Sequence, residues 1–548
     1  MLLRQSWIRG IPGLAKRVAR FPHGGRMGQT LKLRLWQFRS RWALAAIGLA
    51  AQLAGGCDGL RNWLHNDFKV GPNFEQPPAA VSPVWIDSAD PHVALRPIDV
   101  DAWWDSFNDP ALHSLIETAC QRNLDLRTAA TRVLQAQAQR NIAAGNLFPQ
   151  SQTISGNYAN AQISKNLGVF SGPAAAAFPN SLNIWSVGFN ATWELDFWGN
   201  LRRNIESADA QVGSSVEAFN NALVTLLGDV ATNYIQIRTF QQRIAYARRN
   251  VEIQRGSLDL ADARLKDGKA TALDVMQARS SLAQTESSIP PLIIGLRQAN
   301  DRLCTLLGEP PQDLVPTLGE APIPVAPPEI AVGIPAELIQ RRPDVRRALD
   351  DAMAQSAQIG VAEADFYPQF GVTGFFGFVA SDFAKLFNGQ SFTSLVLPNF
   401  SWKIMNYGRI LNNVRYQDAR FQEKVLNYQQ TVLTAGREVE DALVAFIQYQ
   451  LQARSLEESV KQAADAVELV QAQYKGGLVD FNRLFTAQLQ LVAQQDQLAA
   501  AQGNIAVSMV AVYRALGGGW QMLQQGGAAQ NSAPPPRRLS WLRRRMDY

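Results

Sequence analysis

Residues 124–150, LDLRTAATRVLQAQAQRNIAAGNLFPQ, decide the fold because the chain contains them twice. Residues 343–369, PDVRRALDDAMAQSAQIGVAEADFYPQ, align to them without gaps, at a constant offset of 219, and both stretches end in Pro-Gln. A second block extends the duplication, since residues 193–308 align to residues 402–517 at an offset of 209. A long internal repeat sets the architecture before any motif does. The sequence therefore predicts two copies of one structural unit.

The longer block carries the pattern of a very long helix. Apolar side chains recur at alternating steps of three and four residues from Leu201 to Ile237, and again from Ile410 to Phe446. Breaks are predicted near residues 267–269 and 476–477, so each copy is expected to be a long helix, a tight turn and a return helix. Some 60 residues at about 1.5 Å each make a rod of roughly 90 Å. Such rods must pack side by side.

Four shorter segments predict strands, at residues 151–160, 182–193, 370–380 and 392–402. Residues 182–193, LNIWSVGFNATW, alternate apolar and polar side chains, which is the period of a strand with one greasy and one wet face. The last segment contains Pro398, which favours an edge or a bulge. Four strands cannot close a membrane barrel, because about eight is the usual minimum and open edges are excluded from lipid. Several copies of the chain are therefore expected to share one barrel.

The charge distribution argues against a nucleic-acid partner. The net charge is +5, but ten Lys and Arg residues fall within residues 1–41 and five Arg residues lie between 537 and 545. The body between them is near neutral and shows no basic stripe interleaved with aromatic residues.

Histidine and cysteine usage excludes most catalytic and metal chemistry. All four histidines precede residue 114, which leaves the rest of the chain without an imidazole for metal ligation or general base work. The three cysteines make no CxxC pair, and Cys120 and Cys304 are predicted to be core thiols in preference to a disulfide. No catalytic residue, metal site or cofactor is predicted.

Two other features could suggest an enzyme and do not. Gly268-Lys269 lacks the earlier glycine of a phosphate loop. The carboxylates of Glu438 and Glu440 are interpreted as parts of solvated helix faces.

The N-terminal residues predict a secretion signal. Residues 43–56, ALAAIGLAAQLAGG, form an apolar run of signal-peptide length that is too short to span a bilayer. The run leads into Cys57 as a bacterial lipobox does, although Ala54 stands where the usual Leu would be and Asp58 is a residue often associated with inner-membrane retention. We predict lipidation of Cys57, in which each buried CH2 contributes about 0.8 kcal/mol. The alternative is an ordinary cleaved signal that leaves Cys57 a free thiol.

These observations divide the chain into six segments. They are a signal segment at 1–56, a lipid-anchored extended segment at 57–110, a first repeat at 111–308 with a β-hairpin at about 151–193, a Pro-rich linker at 309–336, a second repeat at 337–517 with a β-hairpin at about 370–402, and a basic tail at 518–548 that is predicted to be disordered.

Four motifs together resemble the outer-membrane efflux proteins, a TolC-like family, and specifically their NodT-type lipoprotein branch. The motifs are VGPNF at 70–74, WWDSFNDPAL at 103–112, RRPDV at 341–345 and FYPQ at 366–369. The resemblance covers about residues 70–520.

The resemblance implies a mostly α fold with a β membrane region. Three identical chains would close a 12-stranded β-barrel in the outer membrane, continuous with a 12-helix α-barrel in the periplasm and surrounded by an equatorial domain. It implies a lipid-anchored passive duct and not an enzyme, conducting small toxic compounds such as drugs, solvents or metals. The implied partners are a periplasmic adaptor and an inner-membrane pump of the resistance-nodulation-division type.

The resemblance also implies two sets of site residues. Docking to the adaptor would use the helix-turn-helix tips, namely Arg264, Lys266, Asp267, Gly268, Lys269, Tyr474, Lys475, Gly476, Gly477 and Leu478. Relatives narrow the tube with an inward Leu, an Asp four residues on and an Arg beyond. The matching positions here are Asn482, Thr486 and Leu489, none of which keeps the usual residue, so a pore constriction is expected there without an acidic ring.

Two other functions remain as alternatives. The chain could form the outer duct of a type I protein-secretion system, but Cys57 and the RRPDV segment favour small-molecule export. A coiled-coil membrane scaffold would also use long helices rich in Ala and Gln, but the alternating strand at 182–193 and the secretion signal argue against it.

Overall fold

The computed structural model describes residues 63–96, 101–162, 181–337 and 341–521. Cys57, the signal segment and most of the basic tail lie outside these residues. Residues 63–67 belong to a separate N-terminal unit, and everything below concerns the unit that begins at Phe68. Its principal elements, in chain order, are α1 (Pro110–Arg122), α2 (Leu124–Gly145), β1 (Ser151–Gln162), β2 (Ser181–Leu195), α3 (Asn200–Lys266), α4 (Ala272–Leu306), α5 (Pro343–Ala364), β3 (Gln369–Ala380), β4 (Phe392–Ser401), α6 (Arg409–Lys475) and α7 (Phe481–Ala515).

The duplication in the sequence reappears as helices of matched length. Helices α3 and α6 each have 67 residues, α4 and α7 each have 35, and α2 and α5 each have 22. At about 1.5 Å per residue, α3 and α6 are each about 100 Å long. Helix α4 continues through Pro290 and Pro291.

The shorter helices are stacked end to end in pairs. The side chain of Asn123 joins α4 to α2, because its Nδ2 donates to the carbonyl of Leu306 at 2.9 Å and its Oδ1 accepts from the Leu126 amide at 2.8 Å. Arg342 occupies the matching position between α7 and α5, where its Nη1 donates to the carbonyl of Ala515 at 2.8 Å. Each copy therefore supplies two helical rods. One is a single continuous helix, and the other is a pair of helices stacked end to end.

The four rods lie side by side in a fixed order. The stacked pair α4/α2 contacts α3, α3 contacts the stacked pair α7/α5, and that pair contacts α6. The two outermost rods, α4/α2 and α6, each have one flank without a neighbour among the described residues.

The predicted apolar seam is buried from Tyr428 onward on α6 and from Leu223 onward on α3, and before those residues it is half-buried except at Ile410. On α6, Tyr428, Val432, Val439 and Phe446 are buried as expected. On α3 the seam is buried only from Leu223 onward. Before it, the buried residues are Arg203, Ser207, Ala210, Ser214, Glu217 and Asn220. This face packs on polar residues of α5, where Ser214 donates to Asp351 and Glu217 pairs with Arg346.

Glu438 and Glu440, interpreted as parts of solvated helix faces, are exposed and half-buried respectively, but each carboxylate also has a partner in the fold. Glu438 Oε2 lies 2.7 Å from Nη2 of the buried Arg342, and Glu440 Oε1 accepts a hydrogen bond from the Ile86 amide at 3.0 Å. Their partners are 96 and 354 residues away in the sequence, so no local pattern could reveal them.

The main apolar core lies where the N-terminal segment and the linker between the copies cross the rods. Trp85, Trp103 and Trp104 are buried there with residues of α1, α3, α4, α6 and α7. Val93–Ala94 pair in parallel with Ile330–Ala331, which ties the N-terminal segment to the linker. Cys120 and Cys304 are free thiols that pack in this core, as predicted.

The strands form one antiparallel sheet in the order β1-β2-β3-β4. The central pair joins the two copies, with Phe189 opposite Phe376. Pro398 lies on the edge strand β4, opposite Val372, in an uninterrupted register. The prediction of an edge position is confirmed, and no bulge accompanies it.

Candidate functional site

The sheet has one apolar face and one face that is mainly polar, although Phe375, Leu395 and Leu397 lie on the second. Residues directly opposite each other in antiparallel strands point to the same side, so the register assigns every side chain to a face. One face carries Ile154, Tyr158, Trp185, Val187, Phe189, Trp193, Val372, Phe376, Phe378, Phe392, Val396 and Phe400. The other carries mainly polar residues, including Thr153, Ser155, Asn157, Asn190, Thr192, Thr373 and Asn399, of which Asn190 and Ser155 form a hydrogen bond of 2.9 Å.

Aromatic side chains lie at both ends of the apolar face. At one end Trp185 packs on Tyr158 and Phe383, with ring centroids 4.3 and 5.1 Å apart. At the other end, the indole nitrogens of Trp193 and Trp402 donate to the carbonyls of Leu147 and Phe366. Trp185 and Trp193 are eight residues apart on β2, which is about 26 Å along a strand. An apolar band of about 25 Å with aromatic girdles at both borders is typical of outer-membrane strands.

The two edges of the sheet are long and unpaired among the described residues. Strand β1 has 12 residues and β4 has 10, and each has its partner on one side only. An open edge of this length invites pairing with another chain, and in lipid every backbone group must be satisfied. Both edges are therefore available for pairing with a further strand.

The far ends of the long helices are closed by two matched turns. In the first, Gly268 has φ +70° and the Thr271 hydroxyl and Asp274 carboxylate form a reciprocal cap at the start of α4. In the second, Gly477 has φ +77° and Asp480 caps α7 by accepting from the Arg483 amide at 3.2 Å. Only glycine adopts this left-handed conformation without strain, which explains the glycine in each turn.

A small apolar cluster holds the two tips together. Tyr474, Phe481 and Leu484 of the second tip are buried against Ala261 and Val275 of the first. The rings of Tyr474 and Phe481 meet edge to face at 5.5 Å. Burial, together with the nearby carboxylate of Asp274, raises the pKa of the Tyr474 hydroxyl, so the ring stays neutral. This placement revises the expectation for Tyr474, which supports the tip from inside.

Arg264 is a polar bridge between the tips. Its Nη1 donates to the backbone carbonyls of Tyr474 and Lys475, the second at 3.2 Å, and its guanidinium lies 4.7 Å from the centre of the Tyr474 ring. Those carbonyls belong to the last turn of α6, where a positive charge stabilises the helix. The sequence analysis predicted that Arg264 is a docking residue. It could not predict the bridge to the end of α6, because the two partners are 210 residues apart.

The remaining tip residues predicted to dock are exposed. They are Lys266, Asp267, Gly268, Lys269, Lys475, Gly476, Gly477 and Leu478. The predicted constriction residues lie on one face of α7: Asn482 and Thr486 are exposed, Leu489 is half-buried, and the Thr486 hydroxyl donates to the Asn482 carbonyl at 2.9 Å.

In the part of the chain that the structure describes, neither a metal-binding cluster nor a membrane-spanning helix is found. There, no three His, Cys, Asp or Glu side chains are grouped for a metal ion. Within the same residues, none of the helices has the length and apolarity to cross a bilayer.

A two-faced sheet with aromatic borders, joined to long side-by-side rods, defines a class: the subunit of an outer-membrane channel. The family model for the outer membrane efflux protein matches residues 115–309 and 334–518. The chain belongs to this outer membrane efflux family, which consists of the ducts of efflux systems and not of enzymes, and it is a protein of the outer membrane.

Individual relatives agree with this assignment. The chain is 33% identical to the pyoverdine export outer membrane protein OpmQ of Pseudomonas putida over 422 residues, which cover 76% of this chain and 88% of that protein. It is 32% identical to the nodulation protein T of Rhizobium leguminosarum bv. viciae over 427 residues, 77% of this chain and 85% of that one. The solved structure of the outer-membrane channel OprN superposes with a TM-score of 0.77 at 30% identity, covering 82% of this chain and 99% of OprN.

Proposed function

We propose that three copies of this chain form one continuous duct, through which small toxic compounds such as drugs, solvents or metals leave the cell. The four-stranded sheet of each copy supplies a third of a 12-stranded barrel, and its four rods supply a third of a 12-helix tube. Compounds enter from a periplasmic adaptor and an inner-membrane pump of the resistance-nodulation-division type. The chain does no chemistry on them.

The observation that carries this proposal is the pair of unpaired sheet edges. Strands β1 and β4 differ in sequence and length, so the edge of one copy pairs with the opposite edge of the next. Contacts of this head-to-tail kind close into a ring when the rotation allows it. The apolar face then lies against lipid, and the polar face lines the lumen.

The outermost rods, like the sheet edges, have surfaces available for contact with a neighbouring copy. The outer flanks of α4/α2 and α6 expose large apolar side chains, among them Leu134 (60% exposed) and Leu426 (64% exposed). Apolar surface of this kind on long helices favours burial against another protein surface. The flank of α6 in one copy is therefore matched to the α4/α2 flank of its neighbour.

The exposed tip residues form the adaptor-docking surface in this proposal. They comprise Lys266, Asp267, Gly268, Lys269, Lys475, Gly476, Gly477 and Leu478, while Arg264 and Tyr474 hold the surface in shape. Asn482, Thr486 and Leu489 line the constriction just above it. These three side chains are uncharged, so the constriction closes without an ion-pair lock.

A lipid on Cys57 anchors each copy. The segment that follows the anchor begins its path on the described unit at the base of the sheet, where the Val70 amide donates to the carbonyl of Trp198 at 3.0 Å. Val70 follows Cys57 by 13 positions, so a short length of chain connects the proposed anchor to the residue that contacts the base of the sheet.

Purification in detergent followed by planar-bilayer recording tests the duct. We expect native mass spectrometry to give three times the chain mass and the purified protein to conduct ions. A protein that stays monomeric and does not conduct would overturn the proposal.

Metabolic labelling with radioactive palmitate tests the anchor separately. Wild-type protein should incorporate label and Cys57→Ala should not. Equal labelling of both would show that Cys57 is not the acylated residue.

A further inference from the structure

A large cavity lies beside the junction of α7 and α5. Its volume is about 700 Å³, and it is lined by residues of α3, α6, α7 and the start of α5. Cavities of about 300–1,000 Å³ are those that hold drug-sized molecules. This one is also far from the tips and from the sheet, so neither the docking surface nor the constriction explains it.

The cavity opens on the side of the rods opposite the main core. On α7, Arg514 lines the cavity and Val512, two residues earlier, belongs to the core. Two steps along an α-helix turn the side chain by about 200°. In the proposed duct this side faces the lumen, where passing compounds travel.

The internal repeat supplies a natural comparison for the cavity. Four of the residues that line the cavity have small side chains, namely Ala442, Ala445, Val507 and Ala511. The matching positions of the first copy, 209 residues earlier, hold the larger residues Asn233, Gln236, Gln298 and Arg302. The second copy thus has space where the first has side chains.

A second pair of matched positions also differs between the two copies. In the first copy the ring of Phe240 packs directly over Gly295, so closely that a Cβ there would lie 2.4 Å from the ring. The matching residues of the second copy are Tyr449 and Asn504, and both line the open cavity. An aromatic ring and an amide are therefore presented to the cavity instead of being packed away.

The charged groups that line the cavity are three carboxylates and two guanidinium groups. Its lining contains the guanidinium groups of Arg342 and Arg514 and the carboxylates of Asp344, Glu438 and Asp441. Arg342 is held by Asp344 and Glu438 at 2.7 Å each, and Arg514 pairs at 3.0 Å with Asp229. Both cations are thereby neutralised by carboxylates.

Asp441 differs from these carboxylates. It is exposed, and no hydrogen bond or ion pair engages it within the described ranges. In the first copy the matching residue is the uncharged Thr232. The carboxylate of Asp441 and the ring of Tyr449 line the same cavity, about 12 Å apart along α6. A carboxylate and an aromatic face in one cavity attract organic cations of drug size.

We propose that this cavity is a cargo subsite of the duct, which transiently binds drug-sized aromatic cations. Asp441 supplies the charge, Tyr449 supplies the ring face, and the four small residues provide the space. The inference rests on the proposed function, because only an open lumen gives the cargo access. Several weak sites of this kind along a path allow a compound to enter and still leave.

Fluorescence titration of the full-length protein in detergent tests the subsite, with ethidium as the aromatic cation and fluorescein as an aromatic anion of similar size. We expect ethidium to bind the wild type, and fluorescein to bind far more weakly. Asp441→Asn removes the charge, and Ala445→Gln fills the space with the side chain of the first copy. Each should weaken ethidium binding at least tenfold.

Glu468→Gln is the matched control, since Glu468 is another exposed carboxylate of α6, outside the cavity. It should bind ethidium as the wild type does. Equal affinity in the wild type, Asp441→Asn and Ala445→Gln would overturn the subsite, as would fluorescein binding as tightly as ethidium.

Bilayer recording of the same samples separates the two proposals. A wild type that conducts but does not bind ethidium refutes only the subsite. A wild type that forms no conducting trimer refutes the duct itself. Asp441→Asn and Ala445→Gln should both conduct, which shows that they are assembled.

Discussion

Arg264 shows how one side chain can connect two turns that are far apart in the sequence. Its guanidinium satisfies two carbonyls at the end of α6 and covers the ring of Tyr474. Hydrogen bonds from charged groups contribute about 1.5–3 kcal/mol. The contact is therefore strong enough to decide whether the second tip stays closed on the first.

We expect Arg264→Ala to loosen the second tip by about 2 kcal/mol, because two carbonyls lose their donor. Hydrogen exchange of the amides of residues 472–484 measures this as faster exchange. Lys266→Ala is the control, since Lys266 is exposed on the same turn of α3. Equal protection in both variants would contradict the role assigned to Arg264.

Asp350 is the carboxylate most clearly shifted toward neutrality. Burial between α3 and α5, with the Glu217 carboxylate nearby, raises its pKa from 3.8 to about 6, although Arg346 opposes the shift. The folded protein therefore binds more protons at this site than the unfolded chain between about pH 4 and pH 6. By linkage, the contribution of Asp350 to stability is largest below pH 4 and is lost as pH rises through 6.

Asp350→Asn removes this titration. We expect the variant to melt at a higher temperature than the wild type at pH 8 and to lose that advantage at pH 4. Thermal melts of the detergent-purified proteins across this range measure the difference. An advantage that does not change with pH would show that the charge of Asp350 is not its cause.

At the scale of single elements, the tip turns depend on backbone conformation. Gly477 has φ +77°, whereas the preceding Gly476 has φ −75°. An L side chain in the left-handed region costs about 1–2 kcal/mol. An alanine at the right-handed position costs nothing of this kind and restricts the unfolded chain.

Gly477→Ala should therefore destabilise the turn by about 1–2 kcal/mol, while its neighbour Gly476→Ala should be neutral or slightly stabilising. Limited proteolysis near the turn reports the difference as faster cleavage of Gly477→Ala. Indistinguishable cleavage of the two variants would mean that the left-handed residue does not control the turn.

The sheet offers an equally sharp comparison between adjacent residues. Phe189 lies on the apolar face of β2 and Asn190 on the polar face. A lysine facing lipid costs up to about 2–4 kcal/mol, whereas one facing the lumen does not. Phe189→Lys should lower the amount of heat-resistant trimer in outer membranes, and Asn190→Lys should leave it near the wild-type amount. The reverse order would mean that the two faces have been assigned the wrong way round.

At the scale of the whole molecule, the proposed duct uses the chain as a wall segment with two unlike borders. Each border exposes apolar side chains and, in the sheet, unpaired backbone. Leu134→Arg on α2 and Leu426→Arg on α6 place a charge on opposite borders. Because each neighbour contact uses one border of each type, either change alone should lower the trimer fraction in native mass spectra. Arg347→Ala, at an exposed position of α5 away from both borders, should leave the trimer intact.

Many of the helices, strands and turns could be predicted because they produce local periodicities in the sequence. The three- and four-residue steps predicted long helices, glycine marked their turns, and the alternation at 182–193 predicted a two-faced strand. Each of these signals arises from residues that are neighbours on the same element, so the sequence contains it in full. The duplication then predicted that the second copy forms the same helices and strands as the first.

The sequence by itself determined the repeat, the rods, the strands and the family of this protein, because periodicity and motif spacing are properties of the chain. Only the tertiary structure decided that Arg264 bridges the tips, that Glu438 serves a buried Arg342, and that the second copy leaves a cavity beside Asp441. These features depend on contacts between residues far apart in the sequence, 96 positions for Arg342 and Glu438 and 210 for Arg264 and Tyr474. Their geometry is set by how the rods pack, and no local pattern of residues records it.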